Sequence, residues 1–272
     1  VAKAKEELKE SATVERLTEF GTPADLWSAH EEGLLPVKNY QQGTFSPEGL
    51  ASKAQKEEIW LRDVGCAGCP IRCSKIGAIR QGKRKGTISD TVEYETAALM
   101  GANLELNDIK EVAYFVHFCD ALGLDGMSAG STIGFAIECF EEGILKPEDY
   151  GGISLSFGST ENIEQVLKQI ACREGKLGKL LAKGTKEASQ ELGEEAVKRA
   201  VHIKGMDIPA WGPRGVPAMG LAYLTSDRGA CHQRAFPLEY ELSGEYKGEK
   251  VERLAVKGKA EMVIEDQNYL AA

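Results

Sequence analysis

The sequence predicts a mainly α, multihelical protein built from two helical domains. Apolar residues recur at helical spacing over most of 46–200, whereas strand signals are few. Near residue 200 the composition changes to a Gly- and Pro-rich segment that carries Trp, Tyr, Cys, His and Arg. A chain of 272 residues is long enough for two ordinary domains. We place the boundary at 199/200, which gives domains 1–199 and 200–272.

The helices are predicted from apolar spacing and from residues that cap their ends. Ser46 precedes Pro47 as an N-cap precedes a first-turn proline, and Asn107 is placed to cap a later helix. Ser159 or Thr160 is a further N-cap candidate, and Gly123 suits a left-handed C-cap. The predicted helices are 46–63, 90–103, 107–123, 129–143 and 161–175, followed by short amphipathic helices around Gly184 and Gly193 within 176–200.

The strand signals are confined to three short runs. The run 201–205 is the best of them, and 77–82 with 86–90 forms a candidate pair. The basic residues of 81–86 lie between the paired runs and are typical of a solvated turn.

Charge and cysteine usage exclude several classes of partner. The net charge of -9 argues against nucleic acid, because phosphate binding needs clustered Lys and Arg. No apolar run approaches the about 18 residues of a membrane span, and the first residues lack the pattern of a signal peptide. Seven irregularly spread cysteines do not resemble a secreted disulfide framework. We therefore expect a cytoplasmic protein without a membrane or nucleic-acid partner.

Three cysteines stand at C-x2-C-x3-C spacing in 66-CAGCPIRC-73. Cys66, Cys69 and Cys73 favour an iron–sulfur site, with zinc or a chance cluster of reduced thiols as alternatives. A [4Fe–4S] cluster needs four cysteines, and from spacing alone Cys231 is the best fourth ligand. The other cysteines lie on apolar helical faces and are predicted to be packing residues; they are Cys119, Cys139 and Cys172.

Two groups of acidic residues are candidates for chemistry. Glu93 and Glu95 stand near a helix start. Two interpretations are open: one of them acts as a general acid or base, or both are simply carboxylates that the helix dipole favours at this position. Asp120 and Asp125 flank a predicted helix C-terminus, where carboxylates oppose the dipole. This unfavourable placement suggests that the two aspartates accept hydrogen bonds from a donor-rich ligand.

Four ordered stretches together resemble the tungsten-containing aldehyde:ferredoxin oxidoreductase family. The likeness covers residues from about 50 to 140 and from about 200 to 240, and the order of four motifs makes it specific. It implies two helical domains that face a shared cofactor site. The stretches are 66-CAGCPIRC-73, 94-YETAALMGAN-103, 120-DALGLD-125 with the run that follows it to 143, and 213-PRGVPAMGLAYLTSDRGACHQRAF-236.

The resemblance implies a tungsten or molybdenum bis-molybdopterin cofactor and a [4Fe–4S] cluster. The pterins are held in the family by two D-x-x-G-L-[D/C] segments, and the second normally ends in the fourth cluster cysteine. We therefore expect that cysteine beyond Ala272 and regard the sequence as a fragment that also lacks an N-terminal β domain. The residues matching cofactor positions are Cys66, Cys69 and Cys73 for the cluster, and Asp120, Gly123, Leu124, Asp125 and Arg228 for the pterin.

The resemblance also assigns catalytic roles. Glu95 matches the family's active-site glutamate, a general base, and His232 matches its active-site histidine, a donor to the aldehyde oxygen. Cys231 becomes a loop residue near the metal pocket. Asp227, where the family often has asparagine, and Trp211 depart from the pattern, which leaves the substrate class open.

The function implied is oxidation of an aldehyde to a carboxylic acid, with ferredoxin as the electron acceptor. One alternative is the tungsten subunit of a benzoyl-coenzyme A reductase, which belongs to the same superfamily. The other is a non-enzymatic iron–sulfur electron-transfer or zinc module, which would leave Asp120–Asp125 and His232 unexplained. A homodimer is left open as the assembly.

Overall fold

The computed structural model describes residues 2–90 and 92–271, and helices dominate it. The mainly α, multihelical prediction is confirmed. No helix in the described part of the chain combines the length and apolarity needed to cross a membrane. The helices are α1 (Ala2–Lys9), α2 (Ala12–Phe20), α3 (Leu26–Glu31), α4 (Ser52–Glu58), α5 (Tyr94–Thr96), α6 (Ile109–Leu122), α7 (Gly126–Glu141), α8 (Ile163–Cys172), α9 (Gly175–Leu181), α10 (Gly184–Leu192), α11 (Glu194–Val197), α12 (Pro217–Thr225), α13 (Leu238–Ser243) and α14 (Lys259–Ala271).

The strands form one antiparallel sheet and two short hairpins. The sheet has the order β1-β2-β3, with Trp60 opposite Gly77 and Ile76 opposite Asp90. The pairing of β2 with β3 confirms the predicted pair, and the β4–β5 hairpin confirms the strand predicted at 201–205. The strands are β1 (Trp60–Val64), β2 (Ser74–Ala78), β3 (Ile88–Asp90), β4 (His202–Ile203), β5 (Met206–Asp207), β6 (Glu245–Tyr246) and β7 (Glu249–Lys250).

The helix predicted over 46–63 is wrong at both ends. α4 begins only at Ser52, and residues from Trp60 onward form β1. The run 59-IWLRDV-64 is rich in β-branched and aromatic residues, and pairing with β2 satisfies its backbone groups better than a longer helix would. Tertiary pairing therefore overrides the local helical signal.

The helix predicted over 90–103 is an irregular helical run, and its first residues do not belong to it. Asp90 ends β3, and Thr91 lies outside the described residues. The run starts with α5, continues as a π-helix over Ala97–Gly101 and ends as a 3₁₀ turn over Ala102–Leu104. All five residues of the π-helix are buried. Such π segments are frequent at functional sites.

The junction between α6 and α7 follows the predicted capping in part. Asp108, and not Asn107, caps α6, since its side chain accepts a hydrogen bond from the Lys110 backbone N–H at 2.9 Å. Gly123 adopts the predicted left-handed conformation, with φ 71°. α7 begins three residues earlier than predicted, because Asp125 caps it by accepting from the Ser128 N–H at 2.7 Å.

The later helices also follow the predicted breaks. α8 begins after Asn162, a left-handed residue without a side-chain cap, so the predicted cap at Ser159 or Thr160 is wrong. Gly184 opens α10, and Gly193 separates it from α11, as predicted.

One large hydrophobic core runs through the molecule, and a smaller cluster lies beside it between α12 and α14. Residues from both sides of 199/200 contribute to the large core, and the domain division stays a prediction. Cys119 and Cys139 are packing residues in this core, as predicted, and burial raises the pKa of each thiol to about 12. Cys172 is exposed, because it ends α8, so its predicted packing role is wrong.

Candidate functional site

The side chains of Glu95 and His232 approach each other where the irregular helical run contacts the Gly- and Pro-rich segment 205–236, here called the Gly-rich loop. Glu95 Oε1 lies 3.8 Å from His232 Nδ1, which is too long for a hydrogen bond. Both atoms are buried, and neither has a hydrogen-bond partner among the described residues. The other carboxylate oxygen, Oε2, accepts a hydrogen bond from the Ala210 backbone N–H at 2.7 Å. The pair predicted to be catalytic is therefore brought together, with one buried polar atom of each close to the other.

The surroundings shift the pKa values of both groups so that the uncharged form of each is favoured. Burial raises the pKa of Glu95 to about 7, against the opposing effect of the Ala210 N–H and the Trp211 indole N–H. Burial, and then the charge of Arg228, lower the pKa of His232. At pH 7 the imidazole is therefore neutral, and the carboxyl group can both take up and release a proton.

Three tyrosines from distant segments hold the chain next to Glu95. The Tyr40 hydroxyl lies 2.7 and 2.8 Å from the carbonyl oxygens of Ile208 and Pro209, which share its one proton. Tyr94 donates to the Ala210 carbonyl at 2.8 Å, and Tyr223 donates to the Trp211 carbonyl at 3.3 Å. The four consecutive carbonyls of 208–211 thus all lie within hydrogen-bond distance of a tyrosine hydroxyl, in a segment that follows β5 and belongs to no helix or strand.

An aromatic wall flanks the carboxylate and the imidazole. The Tyr94 ring stacks on Trp211, with centroids 4.2 Å apart and an interplanar angle of 18°. Phe236 meets Trp211 edge-on at 5.7 Å and His232 at 6.1 Å. Because Trp211 is 7% exposed, its indole is fixed by packing on two sides.

The loop that carries His232 is anchored at several points. Arg228, itself exposed, donates to the sulfur of the buried Cys231 at 2.9 Å. The Phe236 backbone N–H donates to Asp266 of α14. Gly229 has φ 114°, and a Cβ there would meet the Ile203 carbonyl oxygen at 2.7 Å, so only glycine permits the loop to lie this close to the β4–β5 hairpin.

The residues predicted to hold the pterin lie together at the junction of α6 and α7. Asp120, Gly123 and Asp125 are exposed there, and Leu124 is half-buried. A Cβ on Gly123 would meet nothing within 4 Å. Asp207 faces this junction, since the charge of Asp125 contributes to its pKa, which burial above all raises to about 6.

This junction fits a ligand that is rich in hydrogen-bond donors. The Oδ1 atom of Asp207 is buried without a hydrogen-bond partner among the described residues. Asp120 and Asp125 offer exposed carboxylates at the junction of α6 and α7. Arg228, the other residue predicted to hold the pterin, donates to Cys231 in the loop that carries His232, and its role toward the pterin stays a prediction.

The three clustered cysteines lie in the loop between β1 and β2. Cys66 is exposed, and Cys69 and Cys73 are half-buried. The Cys69 N–H donates to the Cys66 carbonyl at 3.0 Å, which closes a turn around Gly68. Burial, followed by the charge of Glu93, raises the pKa of Cys73. Three thiols within one loop are donors of the kind that iron–sulfur clusters use, although no three acidic, His or Cys side chains in the described residues converge as a metal site.

No sequence pattern indicated the groups that hold Glu95 in place. The Ala210 N–H is a backbone donor, which any residue except proline would supply. Tyr40 lies far from every motif, and neither its neighbours nor its spacing indicated a role. The Gly- and Pro-rich composition around 207–215 was the available signal, since it indicated a loop whose carbonyls need partners from elsewhere.

The same family appears in comparisons with known proteins. The family model described as aldehyde ferredoxin oxidoreductase, domains 2 and 3, matches residues 1–272. A tungsten-containing aldehyde ferredoxin oxidoreductase of Pyrococcus furiosus is 34% identical over 237 residues, covering 84% of this chain and 37% of the relative. The WOR-like subunit of an aliphatic sulfonate oxidoreductase from the same organism is 33% identical over 252 residues, covering 90% of this chain and 40% of the relative.

A solved structure shows the same fold. The active-site complex BamBC of benzoyl coenzyme A reductase, bound to 1,5-dienoyl-CoA, aligns with a TM-score of 0.60 and 23% identity over 78% of this chain and 31% of that chain. The chain spans well under half the length of the curated relatives it matches. The family match extends over every residue, and the resemblance seen in the four motifs is confirmed. This chain belongs to the aldehyde ferredoxin oxidoreductase family.

Proposed function

We propose that this chain forms the helical part of a tungsten or molybdenum bis-molybdopterin oxidoreductase that oxidises aldehydes to carboxylic acids. The observation that carries the proposal is the pair Glu95 Oε1 and His232 Nδ1, two buried and unpartnered atoms 3.8 Å apart. Addition of water to an aldehyde carbonyl requires a base for the water and a hydrogen-bond donor for the carbonyl oxygen, and these two groups lie side by side.

Each side chain has a distinct task in this proposal. Glu95, with a pKa raised to about 7, is poised to accept a proton from the attacking water. His232, kept neutral by burial and Arg228, donates one N–H to the aldehyde oxygen as negative charge grows there. The metal–pterin group, when bound, supplies the two-electron redox chemistry.

The residues at the junction of α6 and α7 would hold one pterin. Asp120 and Asp125 would accept hydrogen bonds from its ring nitrogens, and the bare backbone at Gly123 would allow close approach. Asp207, with its unpartnered Oδ1, is an additional acceptor on the same side. Arg228 would contribute indirectly, because its hydrogen bond to Cys231 holds the loop next to His232.

Cys66, Cys69 and Cys73 would supply three ligands of a [4Fe–4S] cluster, and ferredoxin would accept the electrons. The exposed position of Cys66 supports the second of these proposals, because an external electron carrier must approach the cluster closely.

The test is analysis of the protein purified without oxygen, combined with a substrate panel. We expect tungsten or molybdenum, pterin and aldehyde-dependent reduction of ferredoxin. Glu95→Gln should lower kcat by about 100-fold, and His232→Gln by about 10- to 100-fold, with metal and pterin content unchanged. Full activity of Glu95→Gln at unchanged cofactor content would contradict the base role.

The substrate panel also separates the rival chemistries. An aliphatic sulfonate and an aryl-coenzyme A ester are included beside short and aromatic aldehydes. Turnover of the sulfonate or the thioester without turnover of any aldehyde would overturn the aldehyde assignment. Iron or zinc without pterin would instead favour an electron-transfer or zinc module.

A further inference from the structure

We infer that Tyr40 is a positioning residue for Glu95, acting through the single peptide group that joins Pro209 to Ala210. The inference rests on the proposed function, in which Glu95 is the base, and adds to it a residue that lies outside all four sequence motifs. Tyr40 touches neither the Glu95 carboxylate oxygens nor His232 by any hydrogen bond in the described residues.

The geometry is a relay across one planar group. The Tyr40 hydroxyl, whose one proton is shared with the Ile208 carbonyl, lies 2.8 Å from the Pro209 carbonyl oxygen. The N–H of the same peptide group is that of Ala210, which donates to Glu95 Oε2 at 2.7 Å. Because a peptide group is planar, fixing its oxygen fixes the direction of its N–H. A hydrogen bond to the oxygen also polarises the N–H and makes it a stronger donor.

The two other tyrosines on this segment act on different peptide groups. Tyr94 binds the Ala210 carbonyl, which belongs to the Ala210–Trp211 peptide, and Tyr223 binds the Trp211 carbonyl, which belongs to the next. The N–H of Trp211 turns back to the Pro209 carbonyl at 2.7 Å. Only the peptide held by Tyr40 donates to the carboxylate among the hydrogen bonds of the described residues.

Tyr40 is held in place by a strained turn. Lys38, Asn39 and Tyr40 all have positive φ, at 51°, 53° and 62°, a conformation that suits asparagine but not lysine or tyrosine. Asn103 keeps the turn in place, because its carbonyl and its Oδ1 accept the N–H groups of Lys38 and Asn39 at 3.1 and 2.8 Å. Strain of this kind persists where the surroundings enforce it, often at functional sites.

The Tyr40 turn and Glu95 are both attached to the irregular helical run. Asn103 lies in the last turn of the run that begins with Tyr94 and Glu95, so the same run carries both the anchor of the Tyr40 turn and the Glu95 carboxylate. Asn39 adds a further tie to α7, since its Nδ2 donates to Glu138 at 2.6 Å. Tyr40 is therefore held by contacts with the irregular helical run and with α7.

Several groups act on the Glu95 carboxylate besides the Ala210 N–H. His232 lies beside Oε1, and the Trp211 indole N–H supports the carboxylate. Burial raises the pKa values of Tyr40, Tyr94 and Tyr223 well above the usual range, so all three hydroxyls stay neutral donors at every working pH. Any loss of support from the Ala210 N–H would therefore raise the pKa of Glu95.

The test is Tyr40→Phe in the cofactor-loaded enzyme, with Tyr223→Phe as the matched control. In Tyr40→Phe we expect kcat to fall by about three- to tenfold at unchanged KM, and the acid limb of the pH–rate profile to move up by about 0.3 to 0.5 pH unit. Tyr223→Phe removes a buried hydroxyl that binds the same segment but should leave that limb in place. An unmoved limb in Tyr40→Phe, or an equal shift in both variants, would overturn the inference.

A second readout is independent of turnover. The carboxyl C=O stretch of Glu95, assigned by its loss in Glu95→Gln, is titrated by infrared spectroscopy in the same proteins. Tyr40→Phe should move its midpoint to higher pH, and replacing Tyr40 by 3-fluorotyrosine, a stronger donor, should move it to lower pH. If Tyr40→Phe does not fold, the 3-fluorotyrosine protein provides the test. An unchanged midpoint of the Glu95 titration in that protein would refute the relay. A shifted midpoint with normal activity of Glu95→Gln would refute the proposed base role alone.

Discussion

The Glu95 carboxylate accepts a hydrogen bond from the Ala210 backbone N–H at 2.7 Å, across 115 residues of sequence. This contact ties the irregular helical run to the Gly-rich loop and leaves the second oxygen of Glu95 facing His232. One oxygen is thus held by the fold, and the other is available for chemistry. The arrangement explains how a carboxyl group that is mostly buried keeps a pKa of about 7 and not a still higher value.

Glu95 should make the stability of the protein fall as pH rises from about 4.5 to about 7. Its pKa is raised from 4.5 to about 7 on folding, so the native state holds a proton that the unfolded state has already released. Stability from this group is complete below pH 4.5 and is lost as pH rises through about 7, by about 3 kcal/mol in total. Urea denaturation over this pH range measures the free energy of unfolding.

Glu95→Gln is the control for this pH dependence. Glutamine keeps an acceptor for the Ala210 N–H but cannot ionise, so the decline attributed to Glu95 should disappear. The pKa of Asp207, raised to about 6, contributes a similar decline at lower pH that the variant retains. If the difference between the two proteins did not change with pH, the burial of Glu95 would not be setting its pKa.

The sequence was sufficient to predict the helical class, the breaks at Gly184 and Gly193, and the pairing of Glu95 with His232 in one site. Helical spacing and glycine caps are local signals, and ordered motifs carry the site residues. The strand from Trp60 to Val64 could not be predicted, because its partner β2 lies beyond the cysteine loop. The clamp of tyrosine hydroxyls on 208–211 was equally hidden, because it depends on contacts between segments with no shared pattern.

Cys66→Ser should abolish loading of the proposed iron–sulfur cluster. A serine oxygen is a poor replacement for a thiolate on iron, and the remaining two cysteines of the loop cannot hold a cubane alone. We expect iron and acid-labile sulfide to fall below about a fifth of the wild-type content. Cys172→Ser is the matched control, since Cys172 is also exposed but lies at the end of α8, away from the loop. Equal iron content in both variants would exclude Cys66 as a ligand.

Lys259→Met should destabilise the smaller cluster that supports the His232 loop. Lys259 Nζ lies 2.7 Å from Glu241 Oε1, and the two side chains are 3% and 0% exposed. Glu241 also accepts the Ala218 N–H at the start of α12, at 3.1 and 3.0 Å. Removing the cation leaves a buried carboxylate uncompensated, which typically costs about 3–5 kcal/mol.

Chemical denaturation measures this loss, and an exposed ion pair provides the comparison. Lys250 pairs with Glu252 at 2.9 Å, but both side chains are largely exposed, so Lys250→Met should cause no measurable change. Equal effects of the two substitutions would mean that burial of the Lys259–Glu241 pair does not matter.

Gly130→Ala should disturb the packing that fixes Glu95. Gly130 lies on α7, where a Cβ would meet the Leu99 carbonyl oxygen at 2.5 Å and the Met100 nitrogen at 2.9 Å. These atoms belong to the π-helix that begins two residues after Glu95, and backbone cannot move aside as a flexible side chain can. We expect a loss of about 1–3 kcal/mol in the free energy of unfolding and a lower kcat.

The matched control for this contact is Gly126→Ala at the start of the same helix. A Cβ there would meet only the Thr96 Cγ2 atom at 3.4 Å, an ordinary contact, so stability should be unchanged or slightly raised. If Gly130→Ala were as stable as Gly126→Ala, the close approach of α7 to the π-helix would not be a constraint. If it were less stable but fully active, the π-helix would support the core without positioning Glu95.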